Sequence, residues 1–245
     1  HKHTAETPTL TMQREGREKE LPTARETVKQ GETRTEEVPM EKTEKEAVPN
    51  PPPPHDPVLS KAFSGRDLEI MVKGVNALKE WTRKSKSHIV YDSTVDEFTA
   101  DGLFDKVKGK KNIALVGFTT DGDVFGGFYS VAVTKQDKWF YDRDIFVFSF
   151  ESHGRCETPQ KFPVKKVLQD EVSVVFWKNE VKGFVGFFVH NDSGFHLGNE
   201  RSRTVCHDMA HGFMGIEDTT MTGKNSSSRE GPYHRCTRLV AVQLQ

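Results

Sequence analysis

The chain has 245 residues, with 35 Lys and Arg against 36 Asp and Glu, and a formal net charge of −1. That balance offers nothing to a polyanion, so nucleic acid is not an expected partner. No apolar run reaches the roughly 18 residues of a membrane span, and the charged start lacks the apolar stretch of a signal peptide, so no membrane insertion is expected.

Residues 1–57 contain no Phe, Tyr or Trp and only 10 apolar residues, with 9 Lys and Arg against 12 Asp and Glu. Such a segment buries too little surface to offset chain entropy, and we read it as a disordered arm rich in Thr, Glu and Lys. It ends in "NPPPPHDP", whose four consecutive prolines favour a stiff polyproline II spacer. The folded region is expected to span residues 58–245.

In "FSGRDLEIMVKGVNALKEWTRKSK", Leu68, Met71, Val72, Val75, Leu78 and Trp81 follow helical spacing. Ser64 and Asp67 resemble a capping box, and Arg83, Lys84 and Lys86 make a basic last turn suited to the helix dipole. Next, Thr94 and Glu97 form a second capping pattern. Phe98, Leu103, Phe104 and Val107 then line one or two short helices interrupted at Gly102. Asp92, Asp96, Glu97, Asp101 and Asp105 lack the EF-hand spacing and are assigned to solvated helix faces.

The rest reads as strands: Asn112–Phe118, Val124–Thr134, Asp144–Phe150, Val172–Lys178, Gly183–His190 and Arg238–Leu244. In "FVFSF", Phe146, Phe148 and Phe150 share one face, with Val147 and Ser149 on the other. "SVVFW" and "GFVGFFV" are apolar on both faces, as in the centre of a two-layer core. Few helical patterns separate these strands, which favours antiparallel sheets over parallel winding. Asp121-Gly122 is a hairpin signal joining the first two strands. Gly126 and Gly127 fall early in the returning strand and are read as room for aromatic packing, with Phe118, Phe125 and Phe128 as neighbours. A phosphate cradle would need a helix to follow.

The residues that could carry chemistry are few. No G-x-S-x-G elbow is present. The three cysteines, Cys156, Cys206 and Cys236, are odd in number and widely spaced, which suggests reduced thiols and a cytoplasmic setting. "SHGRCETP" places His153 and Arg155 near Cys156, and "TVCHDMAH" places His207, Asp208 and His211 near Cys206. A thiol enzyme needs a cysteine beside an imidazole, and zinc would draw on Cys206, His207, His211 and Cys236. Spacing alone assembles neither. No catalytic, cofactor or metal residues are therefore assigned. A hydrolase or thiol enzyme using Cys156 or Cys206 with a nearby His is the alternative.

Several motifs resemble the TLDc domain family: the run from "LKEWTRKSK" through "VFGGFYSVAV", then "DIFVFSF", "GFFVHNDSGFHLGN" and the closing "RLVAVQL". The resemblance covers about residues 66–245. It implies an α+β fold with two antiparallel sheets packed as a sandwich and flanking helices. It also implies a non-enzymatic interaction module linked to oxidation resistance, with the vacuolar proton-pumping ATPase as a partner of some members. No family catalytic residue is carried over. Many members have a Gly-Glu pair where this chain reads Tyr141-Asp142-Arg143-Asp144. "ESHGRCETPQKF" and "MGIEDTTMTGKNSSSREGPYHRC" depart from the family pattern. Phe125, Gly126, Gly127, Phe146 and Phe148 are expected to define the fold.

Overall fold

The computed structural model describes residues 57–190, 192–202, 206–224 and 234–245. The expected disordered arm and proline spacer lie almost wholly outside the described residues.

Helices α1 (Leu59–Ala62) and α2 (Gly65–Thr82) come first, then β1 (Ser87–Asp92), α3 (Ala100–Val107), β2 (Ile113–Thr119) and β3 (Val124–Tyr129). After them run β4 (Trp139–Tyr141), β5 (Phe146–Glu151), β6 (Gln160–Pro163), β7 (Val172–Phe176), β8 (Val185–Val189) and β9 (Ser193–Leu197). The chain closes with β10 (Cys206–His207), α4 (Met209–Gly212) and β11 (Cys236–Leu244). One sheet has the order β1-β11-β2-β3-β5-β6 and the other β10-β9-β8-β7-β4. Every pairing is antiparallel, and the two sheets make a sandwich.

Two apolar layers explain the sequence pattern. Between the sheets lie Leu115, Phe125, Tyr129, Val147, Val174, Phe176, Phe187 and Phe195, joined by Leu103 and Phe104 of α3. On the outer face of the six-stranded sheet, Met71, Val75 and Leu78 of α2 meet Val116, Phe128, Phe146, Phe148 and Phe150. The central strands β2 and β3 are therefore buried on both faces, and their continuous apolar runs follow from that. Phe146, Phe148 and Phe150 do share one face, with Val147 on the other. Among the described residues, no helix is long and apolar enough to cross a membrane.

The hairpin at Asp121-Gly122 forms as expected. Gly122 has a φ of 84°, and β2 pairs with β3 from Ile113↔Tyr129 to Phe118↔Val124. Gly126 and Gly127 serve packing, but their neighbours differ from the expected ones. A Cβ on Gly127 would lie 2.8 Å from the Phe187 ring of the opposite sheet. A Cβ on Gly126 would lie 1.8 Å from the Leu115 carbonyl oxygen and 2.8 Å from the Phe148 ring. Phe118 instead pairs with Val124.

Other expectations need correction. Ser64 stands at the α2 N-cap, yet its side chain makes no capping bond. Arg83 is the left-handed C-cap of α2, so Arg83, Lys84 and Lys86 lie past the last turn, which contains Lys79 instead. No helix starts at Thr94, because its hydroxyl donates to Asp92 Oδ1 at 2.9 Å in a turn. The cap is Thr99, whose hydroxyl accepts from the Gly102 N–H at 3.0 Å, and Gly102 sits within α3 instead of breaking it. Asp92 is buried, not solvated. The strand expected to reach Thr134 ends at Tyr129 because the Ser130 and Val131 N–H groups donate to the Asp142 carboxylate and leave the ladder. The strands β1, β4, β6, β9 and β10 were not anticipated.

Candidate functional site

The turn of the β2–β3 hairpin carries two aspartates, Asp121 and Asp123. The departing segment after β5 folds back over it. There, Arg155 donates to the Asp123 carboxylate, to Thr220 O at 3.0 Å and to Met221 O at 3.1 Å. His153 sits beside them, its Nε2 2.8 Å from Asp121 O and 3.6 Å from Asp123 Oδ1. Lys224 pairs with Asp121. Segments 151–162 and 214–224 thus meet on this hairpin through one guanidinium.

Asp123 is 1% exposed, and burial pushes its carboxyl above the usual range although Arg155 opposes the shift. His234 is also 1% exposed, and neither ring nitrogen has a hydrogen-bond partner. Burial first, then the Lys224 charge, push its pKa down to about 4, so the ring is neutral. Each aspartate already has its own cation. A knot of this kind holds three segments together.

The residues nominated for chemistry do not gather. Cys156 Sγ lies 3.3 Å from Ser152 Oγ, while His153 turns to the hairpin instead of to that sulfur. Cys206 is fully buried, and burial pushes its thiol up to about 12. Its sequence neighbour His207 points its Nδ1 at Asp192 O, 3.0 Å away. His211 has its ring 6.4 Å from that of His190. Cys236 donates from Sγ to Arg238 O at 3.2 Å, and burial likewise pushes its thiol up to about 12. All three cysteines are free thiols. Among the described residues, no group of three or more His, Cys, Asp or Glu side chains is arranged to hold a metal ion.

Sequence reasoning missed three features. One is the hairpin knot, signalled only by Arg155 in an unusual segment. The second is the pair of Asp92 and Arg238, separated by 146 positions. The third is an aromatic outer face on the five-stranded sheet. There Phe188 meets Trp139 at 5.9 Å and Trp177 at 6.1 Å, and Trp177 meets His196 at 5.8 Å. Trp139 and Tyr141 of the edge strand β4 are 36% and 66% exposed. These two stay exposed because β4 is an edge strand.

Asp142 is buried and caps the backbone. It accepts from the N–H groups of Ser130 and Val131 and from the Asp144 N–H at 3.0 Å.

No curated protein matches the chain. A family model of the TLDc domain matches residues 69–230, from within α2 to the segment before β11. Strand β11 lies beyond that span, yet it sits between β1 and β2 and so completes the same sheet. Two antiparallel sheets with flanking helices, together with a match over most of the chain, assign it: this chain belongs to the TLDc domain family.

Proposed function

We propose that the chain is a non-enzymatic TLDc interaction module that acts in protection against oxidative damage by docking on a protein complex. The vacuolar proton-pumping ATPase is the candidate complex and the cytoplasm the candidate setting. In this reading residues 58–245 form the docking domain. Residues 1–57 tether it and offer threonines for regulatory phosphorylation.

The observation that carries the reading is the aromatic face formed by β4, β8 and Trp177 just after β7. Exposed Trp139 and Tyr141, backed by Phe188 and Trp177, are of the residue types that anchor protein interfaces. Family membership supports the same reading. The thiol-enzyme alternative has less support: the Cys206 thiol is buried and resists ionisation, and Cys156 has a serine, not an imidazole, at its sulfur.

The test is co-precipitation of the full chain with the peripheral subunits of the pump from a cell extract. Enrichment over an unrelated domain of similar charge is expected. Equal recovery of both would remove the pump as the partner.

A further inference from the structure

Beyond the C-terminal end of α2, a cleft of about 310 Å3 opens over the outer face of the six-stranded sheet. Trp81, Phe146, Ser130, Asp144, Lys84 and Lys161 line it. Trp81 meets Phe146 edge-on at 5.9 Å and 90°. Lys161 projects from the edge strand β6, pairing opposite Phe148 of β5, and its Nζ lies 4.2 Å from the centre of the Phe146 ring.

Lys161 differs from the ordinary surface lysines of the chain. Lys106 and Lys224 hold carboxylates in ion pairs, and Lys166 and Lys182 are exposed to water. Lys161 is half-buried, and among the described residues its amine has neither an ion pair nor a hydrogen bond. Burial pushes its pKa down, and the charge of Asp144 works against that shift. The charged groups facing it across the cleft are Asp144, ahead of β5, and Lys84, just after α2. The ring face of Phe146 also favours the ammonium. An amine partly stripped of water, with no carboxylate in ion-pair contact and beside a cavity, is the setting in which lysine becomes a nucleophile toward carbonyl groups.

We propose that Lys161 is a capture site for small aldehydes, which enter the cleft beside Trp81 and Phe146 and condense with its amine. The nitrogen lone pair attacks the carbonyl carbon, and the π electrons move to oxygen, which takes up a proton. The resulting carbinolamine gives up its hydroxyl and the remaining N–H proton as water. One amine and one aldehyde thus yield one imine and one water, with no oxidant or reductant. Water reverses the step. The site is independent of the docking face on the other sheet.

The experiment treats the full chain with limiting benzaldehyde and cyanoborohydride at neutral pH and reads the benzyl adduct on each lysine by peptide mass spectrometry. Lys161 is expected to be labelled about three-fold faster or more than Lys166 and Lys182. Asp144→Asn removes the carboxylate that favours the ammonium. It should raise labelling at Lys161 further and leave Lys166 and Lys182 unchanged, in protein whose circular dichroism matches the parent. Labelling of Lys161 no faster than of those two lysines would overturn the proposal, as would an Asp144→Asn variant that labels Lys161 no faster than the parent does.

Discussion

The guanidinium of Arg238 grips the carboxylate of Asp92, with Nε 3.0 Å from Oδ1 and Nη2 2.5 Å from Oδ2. The same guanidinium lies 4.0 Å from the centre of the Phe63 ring and donates to Ala62 O at 2.8 Å. One side chain on β11 therefore ties the end of β1 to the end of α1. Arg238→Met leaves the buried Asp92 charge without its cation. A loss of about 3–5 kcal/mol is expected from breaking such a pair, read as a lower urea midpoint. Burial pushes the Asp92 carboxyl up, but hydrogen bonds from Arg238 and Thr94, with the Arg238 charge, together hold it below the usual range. A depressed carboxyl contributes stability above its unfolded pKa of about 3.9, and that contribution disappears as pH falls through the folded value. The gap between parent and Asp92→Asn should thus narrow below pH ~4.

Gly127 faces the Phe187 ring across the sandwich, so a side chain there must displace an aromatic ring of the opposite sheet. Gly127→Val is expected to cost on the order of 1–3 kcal/mol through overpacking. Adding Phe187→Ala should recover part of that loss, because it vacates the contested space. Additive losses in the double variant would show that the two residues do not compete.

His234 is neutral in the fold because burial lowers its pKa to about 4 from an ordinary value near 6.5. Between those values the unfolded chain binds the extra proton, so stability falls as pH falls from about 6.5 toward 4, by roughly 1–3 kcal/mol in total. Asp123, whose carboxyl is raised by burial, works in the opposite direction. Thermal melts of the parent and of His234→Phe at pH 7.5 and pH 5 separate the two. The parent should lose more on acidification than the variant.

Cys206 and Cys236 are buried thiols that resist ionisation, whereas Cys156 is half-buried. In the native protein near neutral pH, a maleimide reagent should modify Cys156 well ahead of the other two. All three should react in denaturant. Fast native labelling of Cys206 would revive the thiol-enzyme alternative.

Trp139 and Tyr141 present their rings outward from β4. Trp139→Ala with Tyr141→Ala should reduce co-precipitation with the partner complex by ten-fold or more, in line with aromatic hot spots worth about 2 kcal/mol each. The melting temperature should change little, since Tyr141 is two-thirds exposed. Recovery equal to that of the parent would move the docking surface elsewhere.

Local pattern alone determined the lead helix, the six main strands and the hairpin at Asp121-Gly122. These features depend on periodicity and turn chemistry, which act between near neighbours. The motifs in the same stretches sufficed to reach the family. Tertiary structure decided the rest. Which ring fills the space over Gly127 depends on how the second sheet is placed, so Phe187 could not be singled out from its own segment. The short strands β1, β4 and β6 exist because a neighbouring strand pairs with them, not because three to six residues favour extension. Asp92 and Arg238, or Arg155 and Asp123, meet only after the chain has folded back on itself. The burial that separates a structural thiol from a reactive one, or partly strips Lys161 of water, is a property of the assembled layers.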